Sequence, residues 1–535
     1  MGKRLAIIGA GTAGLITVHH ALRRLPGWEV RAFHRENHLR GNWGNPYPGF
    51  VSTSTRFTTQ FSAFRRFDSS VAPGGKQDYE EFFREEEYGN YLEEFVASSS
   101  LDSHVSQETE VLQVQREGKQ WRVTYRKKNG TTEEELFDAV VIATGLTETP
   151  RPAEVEVPVI GSIREREEVR NRTVVVMGGG ESAADAANRL AIPDRQNRVY
   201  LSLRSGIRVS PRYHPIRGVP SDFLRNRLLL SIDPDLRNQV GQKFVEARIR
   251  HRERFERLFP SRRKKLASSY PVEARKRHWD LLLTKTSKDL LFNTFHNKSD
   301  GFLDAVGEER IQIIGPPVEG APNQFRKFDS DETLTVDADL LLPQLGYENH
   351  FGRLFSEEKV SLKDFYLGCQ HIDHENLFLV GFARPIIGNI PTISEQQARY
   401  VTATLAGEIP RPNPLPELHA ADRAALEKRF TRIDLDAVYP VEMFPYCDRL
   451  ARALKTLPTR QALGFRRWLK VQLAPATTMH YLDDDFVPAE IDREVIYTPL
   501  VLNGLLGLIR AFDRLRSGSA PPQTRQDRRT DNNSL

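Results

Sequence analysis

Two glycine-rich turns carry the residue types and spacing in this sequence that could do chemistry. The first turn follows an apolar run at residues 5–8 and precedes a helical pattern. In its G-x-G-x-x-G spacing the glycines allow a tight turn, close approach to a pyrophosphate, and close packing of helix on strand. Unpaired N–H groups at such a helix N-terminus favour phosphate. The predicted dinucleotide contacts here are Gly9, Ala10, Gly11, Thr12, Ala13 and Gly14.

The second turn follows the apolar run at residues 173–177. Alanine replaces its third glycine, and alanine still permits close packing. About 20 residues beyond the turn, where an acid would bind the ribose of NAD, the sequence has an arginine. A cation suits a ribose 2′-phosphate, so the pattern favours NADPH over NADH. The predicted contacts are Gly178, Gly180, Glu181, Ser182, Ala183, Arg204 and Ser205.

Two such turns in one chain imply two dinucleotides, a flavin and a nicotinamide, with hydride transfer between them. The ribose partner of the first turn is open. The count of about 20 residues reaches His34, while Glu36 would share a strand face with it. Either residue could contact the ribose.

Three further segments are predicted to position a ligand. The segment at residues 40–67 is too long for a simple connector, and such loops are usually functional. A buried strand ends in Thr144 and Gly145, at the edge where open α/β sheets bind ligands. Thr392 and Glu395 have capping-box spacing, which predicts a helix that begins at Thr392 and faces the flavin.

The composition indicates an ordinary protein of several domains. The chain has 535 residues, 39% hydrophobic and 27% charged, and a net charge of +5. That charge is too diluted to indicate nucleic-acid binding, and the basic residues of segment 217–277 alternate with acids as on a solvated helix face.

Residues 79–96 have helical periodicity that is interrupted around Gly89.

Metal, redox and membrane sites are not predicted. Two cysteines, Cys369 and Cys447, match no metal or redox spacing, so a reducing, cytoplasmic location is expected. The segment 371–375 contains two histidines and two acids but lies in a polar turn, and we predict no metal there. Because no apolar run reaches about 18 residues, no transmembrane anchor is expected. The segment 495–512 is predicted to be a buried or surface-docked helix, and peripheral membrane association through it is open.

Taken together, these features resemble the flavin-containing monooxygenase family, the class B flavoprotein monooxygenases, over most of residues 1–510. The combination and order of the motifs are specific to that family. The matching segments are 9–14, 41–43, 61–64, 143–145, 178–183, 204–206 and 390–400.

The resemblance implies an α/β fold with two Rossmann-like domains, the NADP domain inserted in the FAD domain, and a helical C-terminal region. It also implies that Asn42, Trp43 and Gln396 contact FAD. The expected boundaries are 1–150 and 326–409 for FAD binding, 151–325 for NADP binding with a basic helical insertion, 410–516 for the helical region, and 517–535 for a disordered tail.

The implied reaction begins when NADPH reduces the flavin and O2 adds to form a flavin hydroperoxide. Its distal oxygen then passes to an amine or sulfide of a small-molecule substrate. Thr53 takes the place of the family's active-site asparagine and is the candidate catalytic residue. Further departures are His34 at the ribose-binding glutamate, Arg40 in the G-G-x-W motif, and the missing F-x-G-x-x-x-H-x-x-x-Y linker between residues 145 and 178.

These departures keep two alternatives open. One is a Baeyer–Villiger oxygenase that acts on a ketone. The other is a flavoprotein oxidase, reductase or noncatalytic binding protein that has lost oxygen insertion. The expected partners are a small-molecule substrate and O2, with no nucleic acid. The oligomeric state is open, a homodimer included.

Overall fold

The computed structural model describes most of the chain. The described residues are 2–147, 149–153, 159, 168–214, 217–257, 270–287, 293, 295, 297–321, 323–349, 351–356 and 358–516. The predicted tail at 517–535 and most of the linker at 154–167 lie outside them.

The strands are β1 Arg4–Ile8, β2 Glu29–Phe33, β3 Val51–Thr55, β4 Phe82–Arg84, β5 Val105–Ser106, β6 Thr109–Glu117, β7 Gln120–Lys127, β8 Thr132–Phe137, β9 Ala139–Ile142, β10 Thr149–Pro150, β11 Thr173–Met177, β12 Arg198–Ser202, β13 Val209–Ser210, β14 Asn297–Lys298, β15 Ile311–Pro317, β16 Gln324–Lys327, β17 Thr333–Thr335, β18 Leu340–Pro343, β19 Tyr347–Glu348, β20 Phe365–Tyr366, β21 Gln370–His371, β22 Leu377–Leu379, β23 Ala383–Ile387 and β24 Tyr439–Glu442.

The α-helices are α1 Thr12–Arg24, α2 Arg56–Thr59, α3 Gly75–Asp78, α4 Glu87–Ser98, α5 Glu181–Leu190, α6 Arg227–Leu230, α7 Pro234–Arg257, α8 Tyr270–Thr286, α9 Phe302–Gly307, α10 Ile390–Ala406, α11 Leu415–Arg429, α12 Met443–Ala453, α13 Arg460–Leu473, α14 Pro488–Arg493 and α15 Leu500–Arg516.

The first glycine turn belongs to a seven-stranded sheet with the order β20-β21-β22-β9-β1-β2-β5. Its central strands β22, β9, β1 and β2 are parallel. Leu5, Ala6 and Ile7 of β1 are completely buried, as expected for a parallel strand covered on both faces. The chain forms this sheet from two separate segments, since β22 joins it more than 200 residues after β9.

The second glycine turn belongs to a six-stranded sheet with the order β17-β16-β15-β12-β11-β18. Strands β18, β11, β12 and β15 are parallel, and β16 and β17 return antiparallel. This sheet ends with β18 at Pro343, beyond the expected boundary at residue 325. The α/β class with two parallel-sheet domains is therefore confirmed, and the sheet of the inserted segment runs further along the chain than the proposed limit.

Helix α10 begins earlier than the capping-box pattern predicted. Its N-cap is Asn389, whose Oδ1 accepts a hydrogen bond from the backbone N–H of Thr392 at 3.1 Å. The carboxylate of Glu395 does not return to this N-cap but binds another loop. The predicted start at Thr392 was wrong because asparagine is a stronger N-cap and Pro391 suits the first turn.

The C-terminal helix α15 lies on the surface. Asn503, on its inner side, is buried and accepts a hydrogen bond from Asn226 at 3.1 Å. Its outer side carries exposed apolar side chains, with Val501 86% and Leu508 69% accessible. Among the described residues, no helix has both the length and the apolar character that crossing a bilayer requires.

Candidate functional site

The first turn has the backbone shape that its glycines predicted. Gly9 adopts φ +101°, and a Cβ atom there would lie 2.5 Å from the carbonyl oxygen of Ala143. A Cβ atom at Gly14 would lie 1.8 Å from the carbonyl oxygen of Gly9. Helix α1 follows at once and has no side-chain N-cap. Its first N–H groups, at Thr12 and Ala13, therefore remain open to an anionic ligand.

The aromatic loop, defined here as residues 40–67, begins directly against this turn. The Cα atom of Gly41 lies 3.3 Å from the position that a Cβ atom of Gly11 would take. Asn42 donates a hydrogen bond to the Thr147 hydroxyl, close after Thr144 and Gly145 at the end of β9. The structure thus brings together the first turn, the start of the loop and the end of β9.

Trp43 and Thr144 are two further predicted cofactor contacts near the first turn. Trp43 is half-buried, with its ring centroid 4.8 Å from that of Tyr88. Thr144 is exposed and Gly145 adopts φ +85°, so the chain turns away from the sheet at this point.

His34 supports the turn through its ring. Its Nδ1 accepts a hydrogen bond from the N–H of Ala10 at 3.2 Å, and its Nε2 is 2.8 Å from the carbonyl oxygen of His38. Burial lowers the pKa of His34, which keeps the ring neutral with the proton on Nε2. Both ring nitrogens are therefore occupied within the protein. Glu36 is exposed and pairs with Arg35 at 3.2 Å.

Gln396, in the first half of α10, is a buried amide with unused hydrogen-bonding capacity. Its side chain is completely buried, and neither Nε2 nor Oε1 has a partner among the described residues. Leaving such groups unpaired costs about 1–3 kcal/mol each. A bound ligand with donor and acceptor atoms would satisfy both, so this residue fits a cofactor site.

The second turn repeats the arrangement. Gly178 adopts φ +130°, and its N–H donates to the carbonyl oxygen of Ser202 at 3.1 Å. No atom of a described residue lies within 4 Å of the position that a Cβ atom of Gly180 would take, so the turn is open at this point. Helix α5 has no side-chain cap, and its first residues Glu181 and Ser182 are exposed and half-buried.

The residues predicted to select NADPH lie just beyond β12. Arg204 is exposed and Ser205 is half-buried. The bond between Gly178 and Ser202 places the end of β12 beside the turn. Ala183 is buried at the base of α5, which agrees with its predicted packing role. The donor set fits a dinucleotide with a ribose 2′-phosphate.

The aromatic loop also contacts the second glycine-turn domain. The hydroxyl of Tyr47 donates to Oδ2 of Asp185 on α5 at 2.6 Å. The guanidinium of Arg189, one turn further along α5, lies 5.0 Å from the Tyr47 ring and donates to the carbonyl oxygens of Pro48 and Gly49. One loop therefore touches both nucleotide turns or the helices that follow them.

Thr53 lies in the same loop, on β3, next to a buried ion pair. It is half-buried, and its carbonyl oxygen accepts a hydrogen bond from Nζ of Lys298 at 2.5 Å. That ammonium group also lies 2.5 Å from Oδ1 of Asp222. Burial lowers the pKa of Lys298, opposed by the Asp222 carboxylate. Burial alone would raise the pKa of Asp222, but Lys298 and Arg225 lower it.

The sequence reasoning missed Lys298, Asp222 and Tyr47. Lys298 and Asp222 are 76 residues apart, and neither belongs to a motif. The only available signal was the abundance of Tyr and Phe in the aromatic loop, which does not say what a given ring contacts.

Glu395 anchors a second buried network. Its carboxylate accepts hydrogen bonds from the N–H groups of Ser62 at 2.9 Å and Ala63 at 3.1 Å. Ligand-type atoms of Glu395, His20 and Asp485 lie within 4.8 Å of one another. The guanidinium of Arg399 already provides a cation at this place, 2.7 Å from Asp485.

The histidines of segment 371–375 bond within the protein. Nδ1 of His371 accepts from the N–H groups of Asp373 and His374, each at 3.1 Å. Nε2 of His374 lies 2.8 Å from the carboxylate of Glu358. Burial lowers the pKa of His371 to about 4.

Comparison with known proteins agrees with this geometry. Residues 6–215 match the family described as pyridine nucleotide-disulphide oxidoreductase. A 4-hydroxybenzoate brominase (decarboxylating) from Pseudoalteromonas luteoviolacea is 24% identical over 88% of both chains. The flavin-containing monooxygenase GS-OX-like 7 from Arabidopsis thaliana is 29% identical over 38% of this chain and 49% of the relative.

Among solved structures, S-allyl-L-cysteine S-oxygenase from Allium sativum superposes with a TM-score of 0.54 at 20% identity. It covers 85% of this chain and 89% of its own. The chain is similar to class B flavoprotein monooxygenases. This monooxygenase uses FAD and NADPH, and its two glycine turns, open helix N-termini and buried Gln396 amide fit these two cofactors. FAD supplies the oxygen chemistry, while the protein binds, orients and excludes water.

Proposed function

We propose that this monooxygenase uses NADPH and O2 to insert one oxygen atom into a nitrogen or sulfur nucleophile of a small molecule. For a sulfide the reaction consumes NADPH, H⁺ and O2 and yields NADP⁺, water and a sulfoxide. The first glycine turn binds FAD and the second binds NADPH. The S-oxygenase that shares the fold acts on a sulfur atom, which supports this substrate class.

The observation that carries this proposal is the position of the aromatic loop between the two turns. Gly41 packs against Gly11 at the first turn, and Tyr47 bonds Asp185 on the helix of the second. Hydride transfer requires both cofactors in one geometry, and productive reaction depends on positioning within ångströms. A loop anchored at both turns provides that positioning and excludes water from the space between.

Thr53 contributes to the same space. Its carbonyl oxygen is held by Lys298, which also pairs with Asp222. Thr53 offers one hydroxyl in place of the side-chain amide of the asparagine that the family resemblance implies at this position. In this proposal the Thr53 hydroxyl and the Lys298 ammonium together provide donors near the reacting oxygen.

Methyl phenyl sulfide and ¹⁸O2 test the proposal. We expect sulfoxide with one labelled oxygen atom, formed in a 1:1 ratio to oxidised NADPH. A Baeyer–Villiger oxygenase would instead convert cyclohexanone to a labelled lactone, whereas we expect this enzyme to leave cyclohexanone unchanged. Hydrogen peroxide in full stoichiometry with NADPH, whatever substrate is offered, would indicate an oxidase and contradict the proposal.

Halogenation is a second candidate, favoured by one observation. The brominase covers 88% of this chain, whereas the plant monooxygenase matches only 38% of it. In that reaction the oxygen atom passes to bromide as hypobromite, which substitutes the ring of a phenol carboxylate with loss of CO2. Incubation with 4-hydroxybenzoate, with and without bromide, distinguishes the two. Bromophenol formed only with bromide supports this candidate, and unchanged 4-hydroxybenzoate rejects it.

A further inference from the structure

Arg384 is a cation that the mechanism above does not use. It lies on β23, shortly after the end of the first sheet and before α10. Its guanidinium sits 4.1 Å from the centroid of the Phe295 ring. The side chain is exposed, and in the part of the chain that the structure describes it makes no hydrogen bond and no ion pair.

Arg384 and Glu181 influence each other electrostatically. Crowding by protein atoms lowers the pKa of Arg384, opposed by the carboxylate of Glu181. The same crowding raises the pKa of Glu181, which Lys298 and Arg384 oppose. Both residues are exposed to solvent.

The Phe295 ring under Arg384 belongs to a segment that reaches both the second glycine turn and the candidate catalytic position. Asn297, two residues after Phe295, donates a hydrogen bond from its side-chain amide to the carbonyl oxygen of Gly179 in the second glycine turn, at 2.7 Å. The ammonium of the next residue, Lys298, bonds the carbonyl oxygen of Thr53. Glu181 also begins the helix of the second glycine turn. Arg384 is therefore within electrostatic reach of the place where the second dinucleotide and the substrate would meet.

The neighbouring cations are already neutralised. Lys298 pairs with Asp222 at 2.5 Å, and Arg212 pairs with Asp300 at 3.1 Å. Arg384 has no carboxylate at such a distance among the described residues. Its planar fork of donors remains available for an external anion.

We propose that Arg384 binds a carboxylate of the substrate, so that this monooxygenase acts on small anionic molecules. The inference rests on the proposed function and specifies its substrate class. Guanidinium and carboxylate match as a bidentate pair, and such charge-assisted hydrogen bonds are stronger than neutral ones. The Phe295 ring holds the guanidinium plane and offers an apolar surface to the body of the substrate.

Two probes of equal shape test this proposal by calorimetry on the FAD-loaded enzyme with saturating NADP⁺. They are 4-(methylthio)benzoate and the neutral 4-(methylthio)benzamide. We expect the native enzyme to bind the acid about 10-fold or more tightly than the amide. Arg384→Gln should bring the two affinities within about 2-fold, while Arg384→Lys should keep part of the preference.

Arg326→Gln is the matched control, because Arg326 is an exposed arginine on β16 that pairs with Asp331 at 3.6 Å. It should keep the full preference for the acid. The retained flavin spectrum and circular dichroism of Arg384→Gln and Arg384→Lys show that both variants fold.

Two results would overturn the proposal. One is equal affinity of the native enzyme for acid and amide. The other is an Arg384→Gln variant that loses affinity for NADPH while the ratio of acid to amide stays unchanged, which would assign Arg384 to the dinucleotide. Sulfoxide formation from both probes is measured separately, because it tests the proposed reaction and not the role of Arg384. If both probes are oxygenated but bind with equal affinity, only the role of Arg384 is rejected. If the acid binds more tightly than the amide but no sulfoxide forms, only the proposed oxygenation is rejected.

Discussion

The hydroxyl of Tyr47 donates a hydrogen bond to Oδ2 of Asp185 at 2.6 Å and so ties the aromatic loop to helix α5. The same loop begins with Gly41 packed on Gly11 of the first turn. The two nucleotide turns are thereby connected through one segment, in addition to the chain between them.

Removal of the Tyr47 hydroxyl tests this connection. We expect Tyr47→Phe to slow flavin reduction by NADPH about 3- to 10-fold, since one hydrogen bond to a charged group stabilises by about 1.5–3 kcal/mol and part of that is retained by packing. Bound FAD should stay unchanged. Tyr497→Phe, which removes a 2.7 Å hydrogen bond to Ser69 elsewhere, is the control and should leave the reduction rate at the native value.

Arg204 is predicted to select NADPH. Arg204→Ala should lower the ratio of kcat/KM for NADPH over NADH by about 10-fold or more, because a charge-assisted contact to the 2′-phosphate is lost. The control is Arg198→Ala, at the opposite end of β12 and also exposed. A ratio that stays at the native value in Arg204→Ala would remove this residue from the cofactor site.

His34 is expected to act through the backbone of the first turn. His34→Ala leaves the N–H of Ala10 without its acceptor and should weaken FAD binding by about 1–3 kcal/mol. His34→Asn places an amide oxygen near Nδ1 and should restore most of the affinity. Titration of the apoprotein with FAD measures both, and equal affinity of His34→Ala and the native protein would contradict this role.

Gln396 separates ligand binding from folding. Gln396→Leu replaces a buried amide, for which the described residues provide no partner, with an apolar side chain of similar size. The apoprotein should have an unchanged or higher Tm, while FAD affinity should fall by about 1–3 kcal/mol. A lower Tm of the apoprotein would show that Gln396 supports the fold itself.

His371 makes stability depend on pH. Burial lowers its pKa from 6.5 to about 4, so between these values the unfolded state binds more protons than the folded state. The free energy of unfolding should therefore rise as pH increases from about 4 to 6.5, with a slope of up to about 1.4 kcal/mol per pH unit, and fall again on acidification. The free energy of unfolding of His371→Asn, measured by urea denaturation, should depend less steeply on pH between about 4 and 6.5. Asparagine keeps an acceptor near the position of Nδ1, so the backbone hydrogen bonds are retained.

The glycine turns were predictable because their function needs a backbone that only glycine provides. Gly9 and Gly178 adopt φ +101° and φ +130°, and strand, turn and helix follow one another in sequence. Such local relationships are visible in the order of residues alone. The parallel strands β1, β9, β11 and β22 follow for the same reason, since they are short apolar runs.

Other features were not predictable because they depend on distant partners. Lys298 and Asp222 meet only through the fold, and Glu395, which has capping-box spacing, is used by the backbone of Ser62. Gly89 does not interrupt helix α4, although the periodicity of residues 79–96 suggested an interruption at this residue. It lies within the helix where a Cβ atom would be 3.0 Å from the carbonyl oxygen of Trp43, so this glycine allows the aromatic loop to approach.

The most direct measurement of the central claim is anaerobic mixing of the yellow FAD-loaded enzyme with one equivalent of NADPH or NADH, followed by O2. We expect NADPH to bleach the flavin absorbance stoichiometrically and faster than NADH. We also expect ¹⁸O2 to restore the yellow colour and to transfer one labelled oxygen atom to methyl phenyl sulfide. Equal bleaching rates with both nucleotides, or no bleaching with either, would contradict the assignment of the two glycine turns.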